Sequence, residues 1–348
     1  MSRDFETFIL TENFLFLFNA YYTLSLRTRG LLMNAQAYCS KAVPYLLFAV
    51  TPIHAGIGRE EGEYVDLPIQ RDFLGLPVIW GSSIKGALRT TYRIKKTKAG
   101  SSGEPTETLG EDEESIIFGP ERERAHEHAG SLLIIDAKSF IVPVPSLKGV
   151  VSFATCPLML ENAKKVFELC DRSDLATKVH EIIKLSKCEE KAIVSSNKIV
   201  IDEKVLLRDT VFNVTVEDEL RQKINNLFSN LNIPISKDFI SERIALLPDD
   251  EGVPFLSRST MSITRIALDY RTKTVKGGAL WTEEYVPEYT MFVTALIALP
   301  PRKPDVSAGP SAIIEALRRV IADGQKDFYI ILGGHETIGK GIMKFCGW

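Results

Sequence analysis

The sequence predicts an α+β fold, a sheet with helices on one face. Three observations carry that expectation. Short apolar runs bounded by turn residues recur between Tyr45 and Leu332 and read as strands. Stretches with apolar residues at helical spacing lie between them, and the two kinds follow one another in mixed order. The chain has 348 residues, 45% of them hydrophobic, enough to bury a sizeable core in one elaborated domain or in two.

The elements follow in order. Residues 1–43 stand apart: Phe14 to Leu26 is apolar and aromatic, but Asn19, Thr23 and Ser25 interrupt it and it is too short to span a bilayer. Met1 to Glu6 lacks the positive flank of a signal peptide. This segment reads as an added structural or docking element, or as the product of an upstream start, because Met33 could open a shorter chain. Tyr45 to Val50 is a central strand ending at Thr51-Pro52, which leaves His54 on a loop beside the sheet. Leu76 to Trp80 is a further strand, and Gly81-Ser82-Ser83 opens a helix running towards Arg93. Lys96 to Ser115 loses apolar periodicity and ends in Glu111-Asp112-Glu113-Glu114, a flexible insertion with a solvated acidic run.

Leu132 to Ile135 and Phe140 to Val144 resume strand character. Helices are expected over Glu161 to Cys170 and over Asp174 to Leu185, where Leu175, Val179 and Ile182 share a face. Another runs over Asp218 to Leu231, aligning Leu220, Ile224, Leu227 and Leu231. Ala192 to Val194 and Lys198 to Leu207 suggest a hairpin between them. A last helix, Ser311 to Ala322, precedes the strand Phe328 to Leu332.

Charge and cysteine content bound the function. A net charge of −3 carries no global basic signature, so nucleic-acid binding would rest on local basic clusters. Cys39, Cys156, Cys170, Cys188 and Cys346 lack C-x-x-C spacing and do not pair with the five histidines as metal ligands. Structural zinc is therefore not expected, and reduced thiols in a cytoplasmic protein are.

Two segments carry chemistry. From Tyr64 to Arg89, the acidic Asp66 precedes the helix start at Gly81, whose N–H groups, with Lys85 and Arg89 one turn apart, suit a phosphate. The same residues also suit an ordinary capped helix with a basic face. In the second segment, Gly334 to Lys340 satisfies G-x-x-x-x-G-K, but Gly341 stands where the Mg²⁺-binding Ser or Thr belongs. Ile342 to Trp348 is also too short for the helix that follows an NTPase loop, so that reading is set aside. What remains is a glycine loop whose N–H groups and Lys340 line an extended anion, or a glycine-rich hairpin with no ligand.

Thr51-Pro52-Ile53-His54-Ala55-Gly56, Tyr64 to Arg71, Gly81 to Arg89 and Gly333 to Gly341 together resemble the RAMP superfamily of CRISPR proteins. Phe118-Gly119-Pro120, Ala129 to Ala137, Pro143 to Gly149 and Thr155-Cys156-Pro157 extend the likeness, which covers about Pro44 to Phe345 and is loosest in the middle third. Within the superfamily the chain is most similar to the backbone subunit of the type III-B effector, the family of the fourth Cmr subunit. The resemblance implies a single RAMP domain over 44–348. It would have a ferredoxin-like, RRM-like palm and large insertions, including a thumb hairpin within about Ser195 to Leu268. It implies CRISPR RNA, complementary target RNA, other Cmr subunits and further copies of the same chain in a helical filament as partners, with no membrane. Guide contacts are expected from Ser82, Ser83, Lys85, Arg89, Gly333, Gly334, Gly339, Lys340 and Gly341. Arg243, Arg258, Arg265, Arg271, Lys273 and Lys276 are further cations available to a strand.

The resemblance also implies endonucleolytic cleavage of target RNA where nucleotides are splayed out at regular intervals, with a divalent metal ion, Mg²⁺ or Mn²⁺, as cofactor. Attack by an RNA 2′-hydroxyl needs an in-line geometry that a flipped nucleotide permits. A carboxylate assists by holding a cation or by acting as base. Asp66 matches the family's catalytic aspartate and is the expected metal ligand, although a turn cap before Leu67-Pro68 explains the same residue. His54 either serves as acid or base or hydrogen-bonds its own loop. Glu283 and Tyr285 alternate by two and so share a strand face, where they either assist cleavage or are surface residues. A non-catalytic structural RAMP subunit and an endoribonuclease that processes precursor CRISPR RNA are the alternative readings.

Overall fold

The structure, a computed structural model, describes residues 41–59, 65–98, 109–110, 112–186, 191–304 and 306–348. The expectations for residues 1–40, and for the 99–108 and 111 portions of the insertion, lie outside the described residues. The first strand, β1 (Lys41–Ala49), begins inside what the sequence assigns to the extension, and Tyr45 to Ala49 are buried on both faces. That double burial is why the segment reads as a continuous apolar run and not as an alternating one. After it come β2 (Val78–Ile79), α1 (Gly81–Lys98), α2 (Glu113–Phe118), β3 (Leu132–Ile134), β4 (Ala137–Ser146) and β5 (Val150–Thr155). Of the strand expected over Leu76 to Trp80, the two residues of β2 pair with Lys138 and Ala137, and Pro77 makes an isolated bridge with Arg71. The helix that follows is longer than expected and absorbs Lys96 to Lys98.

The middle of the chain supplies α3 (Pro157–Leu169), α4 (Ser173–Leu185), β6 (Ala192–Val194), β7 (Lys204–Leu207), β8 (Thr210–Val216), α5 (Asp218–Phe228), α6 (Lys237–Ser241), β9 (Ile244–Leu246) and α7 (Asp249–Ser257). The hairpin expected between Ala192 and Leu207 is instead made by β7 and β8, while β6 pairs parallel with β8. The apolar content of Ala192 to Val194 makes it a buried inner strand; Asn197 to Ile199 turn as a short 3-10 helix. The chain closes with β10 (Met261–Leu268), β11 (Val275–Tyr285), β12 (Met291–Ala298), α8 (Pro310–Ala322), β13 (Phe328–Ile331) and β14 (Ile342–Gly347).

The main sheet runs β13-β14-β1-β12-β4-β5-β9-β6-β8-β7, with β2 added on β4 and β3 on β12. β4 joins its two halves. Lys138 to Ile141 pairs with β12, Val142 to Ser146 pairs with β5, and Ser146 meets Leu207 of β7. That last pairing brings β7 back to β4 around a core that includes Val142, Val144, Ala154, Val194, Val205 and Phe212. In the other half, α1 and α8 lay Ile84, Leu88, Ile313, Leu317 and Ile321 over Tyr45, Leu47 and Phe345. The helical faces follow the apolar spacing in the sequence, and burying them is the main source of their stability.

A separate two-stranded sheet, β10 with β11, leaves the main sheet between α7 and β12. The thumb hairpin was expected within about Ser195 to Leu268. Most of that segment lies in the main sheet and its helices, and the detached hairpin spans Met261 to Tyr285. Its tip is closed by Asp269, whose carboxylate Oδ1 accepts the N–H groups of Arg271 and Thr272 at 2.9 and 3.0 Å. Ile266, Leu268, Tyr270 and Leu280 are exposed along it.

The acidic run corrects another expectation. Asp112, Glu113 and Glu114 are paired and not simply solvated: Asp112 with Lys303, Glu113 with Arg319, and Glu114 with both Arg89 and Arg93 at 2.7 Å. Glu113 is itself buried. Among the described residues no helix is long and apolar enough to cross a membrane.

Phe345 tests the first core. It is fully buried and stacks on Phe328 with ring centroids 4.7 Å apart. Phe345→Ala is expected to destabilise the chain by about 3–5 kcal/mol, and Phe345→Leu by less. The check is the urea unfolding midpoint; an unchanged midpoint for the alanine variant would contradict this placement.

Candidate active site

The site is built on β11 near the foot of the hairpin, where three segments distant in sequence meet. The extended segment after Val65 runs beside β11, with Leu67 bridging Glu283 in parallel. The loop after β1 bridges the same strand end through Ile53 and Val286. The glycine loop then packs on that loop: Gly334 N–H donates to the His54 carbonyl at 3.0 Å, and Gly341 N–H to the Pro52 carbonyl at 3.0 Å. Gly333 is required here, because its φ is +87° and a Cβ would stand 2.3 Å from the His54 carbonyl oxygen.

Alternation along β11 divides the polar residues between two faces. On one face Glu283 is fully buried and serves as a common acceptor. Trp281 donates its indole N–H at 2.7 Å, the Tyr285 hydroxyl donates to the other carboxylate oxygen, and His335 Nε2 and Arg265 Nε lie 3.3 and 3.6 Å away. Burial alone would raise the Glu283 pKa, but the bonds from Tyr285 and Trp281 and the charges of His335 and Arg265 outweigh it, so the carboxyl lies below its usual value. Burial, and then Glu283, push the Tyr285 phenol well up. The His54 ring packs against both Tyr285 and His335 with centroids 5.4 and 5.3 Å away, those two rings lie 5.9 Å apart, and Lys340 Nζ lies 5.6 Å from the Tyr285 ring centre.

On the other face, Glu284 is nearly buried and holds Arg71, the Thr260 hydroxyl at 2.7 Å and the Ile69 N–H at 3.2 Å. Asp66 belongs with Thr282. Its Oδ2 accepts the Thr282 N–H at 2.7 Å and hydroxyl at 3.0 Å, while its own N–H donates to that hydroxyl oxygen at 3.0 Å. These bonds, the backbone one first, hold the Asp66 carboxyl below the usual aspartate value, so it is ionised near neutral pH. The half-exposed carboxylate is therefore a ligand or electrostatic group before it is a strong base.

Of the four expected catalytic residues, His54, Glu283 and Tyr285 come together on one face. Asp66 is one strand position away, tied to Thr282. His54 is buried, its Nδ1 lies 2.7 Å from the Glu284 carbonyl, and its Nε2 lies against Gly56. The hydrogen bond to the strand carbonyl favours its loop-bracing reading. Tyr285 is fully buried and is no surface residue.

The expected guide contacts divide as well. Asp136 Oδ1 already accepts the Gly81 N–H at 2.8 Å, and the Trp80 carbonyl accepts the Ser83 N–H at 2.9 Å. Gln70 donates to the Ser83 hydroxyl at 2.8 Å and accepts the Trp80 N–H at 2.7 Å, so Ser83 locks the helix start to the Asp66 segment. Ser82 remains exposed, and Arg89 is held by Glu114. Lys85 is half-buried, and burial followed by the charge of Arg89 lowers its ammonium pKa. In the glycine loop the N–H groups of Gly334, Gly339, Lys340 and Gly341 donate to protein carbonyls, which corrects the expectation that they line an anion. Close packing onto the His54 loop makes this segment a support.

Sequence reasoning missed Thr282, Glu284, Trp281 and His335 as members of the site. Period-two alternation could have separated Glu283 from Glu284, but nothing in the sequence brings His335 beside them. Among the described residues no cluster of three or more His, Cys, Asp or Glu could hold a metal ion.

Comparison with known proteins places these features in a lineage. The sequence profile of the RAMP superfamily matches residues 47–344. The chain belongs to that superfamily. It is 34% identical to the "CRISPR system Cmr endoribonuclease Cmr4" of Pyrococcus furiosus over 304 residues, covering 86% of this chain and 92% of that protein. It is 27% identical to the "CRISPR system CMR subunit Cmr4" of Saccharolobus solfataricus, covering 90% and 98%. Among solved structures it is similar to a chain of type III-B Cmr-beta bound to cognate target RNA, with TM-score 0.67 and 26% identity over 89% of this chain and 98% of that one. A crystal structure of oligomeric Cmr4 from Pyrococcus furiosus matches with TM-score 0.61 and 28% identity, covering 88% and 96%.

The Asp66–Thr282 pairing has a direct readout. In this RAMP chain Thr282→Val removes the side-chain hydrogen bond and keeps the backbone one, so the Asp66 carboxyl should titrate at higher pH than in the parent protein, while remaining below its unfolded value. Carboxyl-carbon NMR against pH measures it. A titration midpoint that does not rise would show that the hydroxyl contributes nothing to the low value.

Proposed function

We propose that this chain is the CRISPR RNA-binding backbone subunit of a type III-B Cmr effector and that it cleaves guide-paired target RNA at regularly spaced, splayed nucleotides. The observation that carries the cleavage reading is Asp66, ionised at the foot of the hairpin, with both Thr282 bonds converging on Oδ2. Oδ1 is the oxygen proposed to meet an outside partner. The names of the relatives support the assembly and the endoribonuclease activity.

The path β1–α1–β4–β12–α8–β14, with sheet order β14-β1-β12-β4, supports reading the first half as a ferredoxin-like palm. The detached β10–β11 hairpin, carrying exposed Ile266, Leu268, Tyr270 and Leu280, is the proposed thumb. Apolar and aromatic side chains on it suit unstacked bases. The proposed partners are the guide, the target, other Cmr subunits and further copies of the chain, in the cytoplasm.

The chemistry assigned to the chain is positional. A splayed nucleotide allows its 2′-oxygen to line up with the phosphorus and the leaving 5′-oxygen, and holding that geometry supplies much of the rate. Asp66 sits at the strand edge, where it orients the phosphate through a bound cation or through water. A divalent cation, Mg²⁺ or Mn²⁺, fits a single carboxylate completed by phosphate oxygens and water, and would supply charge neutralisation on the phosphate. Ser82 and Lys85 on α1 are the proposed sequence-independent guide contacts.

In an assembled effector whose every copy of this subunit carries Asp66→Asn, target binding should persist and the cleavage ladder should disappear. Products of the parent complex should carry a 2′,3′-cyclic or 3′-phosphate and a 5′-hydroxyl, and targets with 2′-deoxy nucleotides at the splayed positions should resist cutting. Undiminished cleavage by the Asn complex would leave the non-catalytic structural reading. Guide binding is tested separately with Lys85→Ala: affinity should fall about equally for unrelated guide sequences, and the salt slope should flatten by about one unit.

A further inference from the structure

Resting on that cleavage reading, we propose that His335 is the general base that takes the proton from the attacking 2′-hydroxyl, oriented by Glu283. Several observations converge on this residue. His335 adopts a left-handed backbone conformation with φ +67°, uncommon for a residue other than glycine, at the start of the Glu336–Ile338 turn. Strain of this kind is held only where the surroundings over-determine it. The Gly334 bond to the His54 carbonyl and the bonds of Gly339 and Lys340 to Glu336 and His335 supply that support. The loop is thus built to present one side chain.

That side chain meets a carboxylate. Nε2 of His335 lies 3.3 Å from Glu283 Oε2. With the proton of neutral imidazole on Nε2 the lone pair lies on Nδ1, and the charge of the nearby carboxylate stabilises the imidazolium that forms when Nδ1 takes a proton. Side-chain exposure separates the two histidines of the cluster. The His335 side chain is 27% exposed, whereas His54 as a residue is 8% exposed and bonded to the strand through Nδ1. His54 packs the ring of His335; it does not replace it.

The charged and titratable groups around His335 are Glu283 and Tyr285 from β11, Arg265 from β10, His54 from the loop after β1, and Lys340 from its own loop. Burial lowers the His335 pKa, the nearby Glu283 raises it, and His54 and Arg265 lower it; the net direction is down. A neutral imidazole at physiological pH follows, which is the form a base needs. Asp66 is held by Thr282, the residue before Glu283 on β11, and the proposal places the scissile phosphate at this strand edge.

The step balances without a further reactant. The 2′-hydroxyl gives its proton to His335 Nδ1 as its oxygen bonds to phosphorus. The bond from phosphorus to the 5′-oxygen breaks, and that oxygen takes a proton from water. The products are a 2′,3′-cyclic phosphate and a 5′-hydroxyl, and the imidazolium returns its proton to solvent.

The test uses assembled effector with every copy substituted, cutting a labelled complementary RNA in single turnover across pH 5 to 9. His335→Asn tolerates the left-handed backbone, and His335→Gly also opens space for added imidazole. Both are expected to bind guide and target as the parent does and to cut about 10²–10⁴-fold more slowly. They should lose the acid limb of the rate profile, and imidazole should restore part of the glycine variant's rate but nothing to Asp66→Asn. Parent-like rate and profile in both variants overturn the proposal, as does lost cutting with no imidazole rescue and an unchanged acid limb. Parent-like cutting by Asp66→Asn would instead overturn the cleavage reading itself.

Discussion

Two adjacent carboxylates, Glu283 and Glu284, are buried on opposite faces of one strand, and the rest of the site is arranged around that constraint. A buried charge without partners is expensive, so each face must supply donors. Trp281, Tyr285, His335 and Arg265 serve Glu283, and Arg71, Thr260 and the Ile69 N–H serve Glu284. Those donors come from β10, β11, the Asp66 segment and the glycine loop. Pairing the two charges therefore fixes the Asp66 segment and the glycine loop against the hairpin.

The same arrangement separates structural from chemical roles among similar residues. His54 and His335 pack against each other with tilted rings, yet one is fixed to a strand carbonyl and the other meets a carboxylate with part of its side chain in solvent. Asp66 and Glu283 are both ionised, but Asp66 is half-exposed at a strand edge and Glu283 is enclosed by donors. Burial of His54 also weighs against a precursor-processing endoribonuclease that would rely on it as acid or base. Edge position and solvent access decide these roles; residue type alone does not.

Basic residues show the parallel limit on electrostatic inference. Arg89 and Arg93 share the Glu114 carboxylate, and Arg319 is committed to buried Glu113, so three cations on or beside α1 and α8 are neutralised within the fold. Ser82 is exposed and Lys85 half-buried on the same helix. Ion pairs of this kind alter which charges are available to RNA.

The linear pattern by itself determined the helices, because Leu175-Val179-Ile182 and Leu220-Ile224-Leu227 repeat at helical spacing whatever surrounds them. It also determined the shared face of Glu283 and Tyr285, which follows from period two, and the superfamily, which rests on spaced motifs in a fixed order. Tertiary structure alone decided that Ala192 to Val194 pairs with β8 and β9, since a three-residue apolar strand carries no information about its neighbours. It alone showed that the Gly334 and Gly341 N–H groups serve the His54 loop and that the detached hairpin begins at Met261. Hydrogen-bond partners and close approaches between residues some 280 positions apart, such as His54 and Gly333, arise only when the sheet brings β1 beside β14.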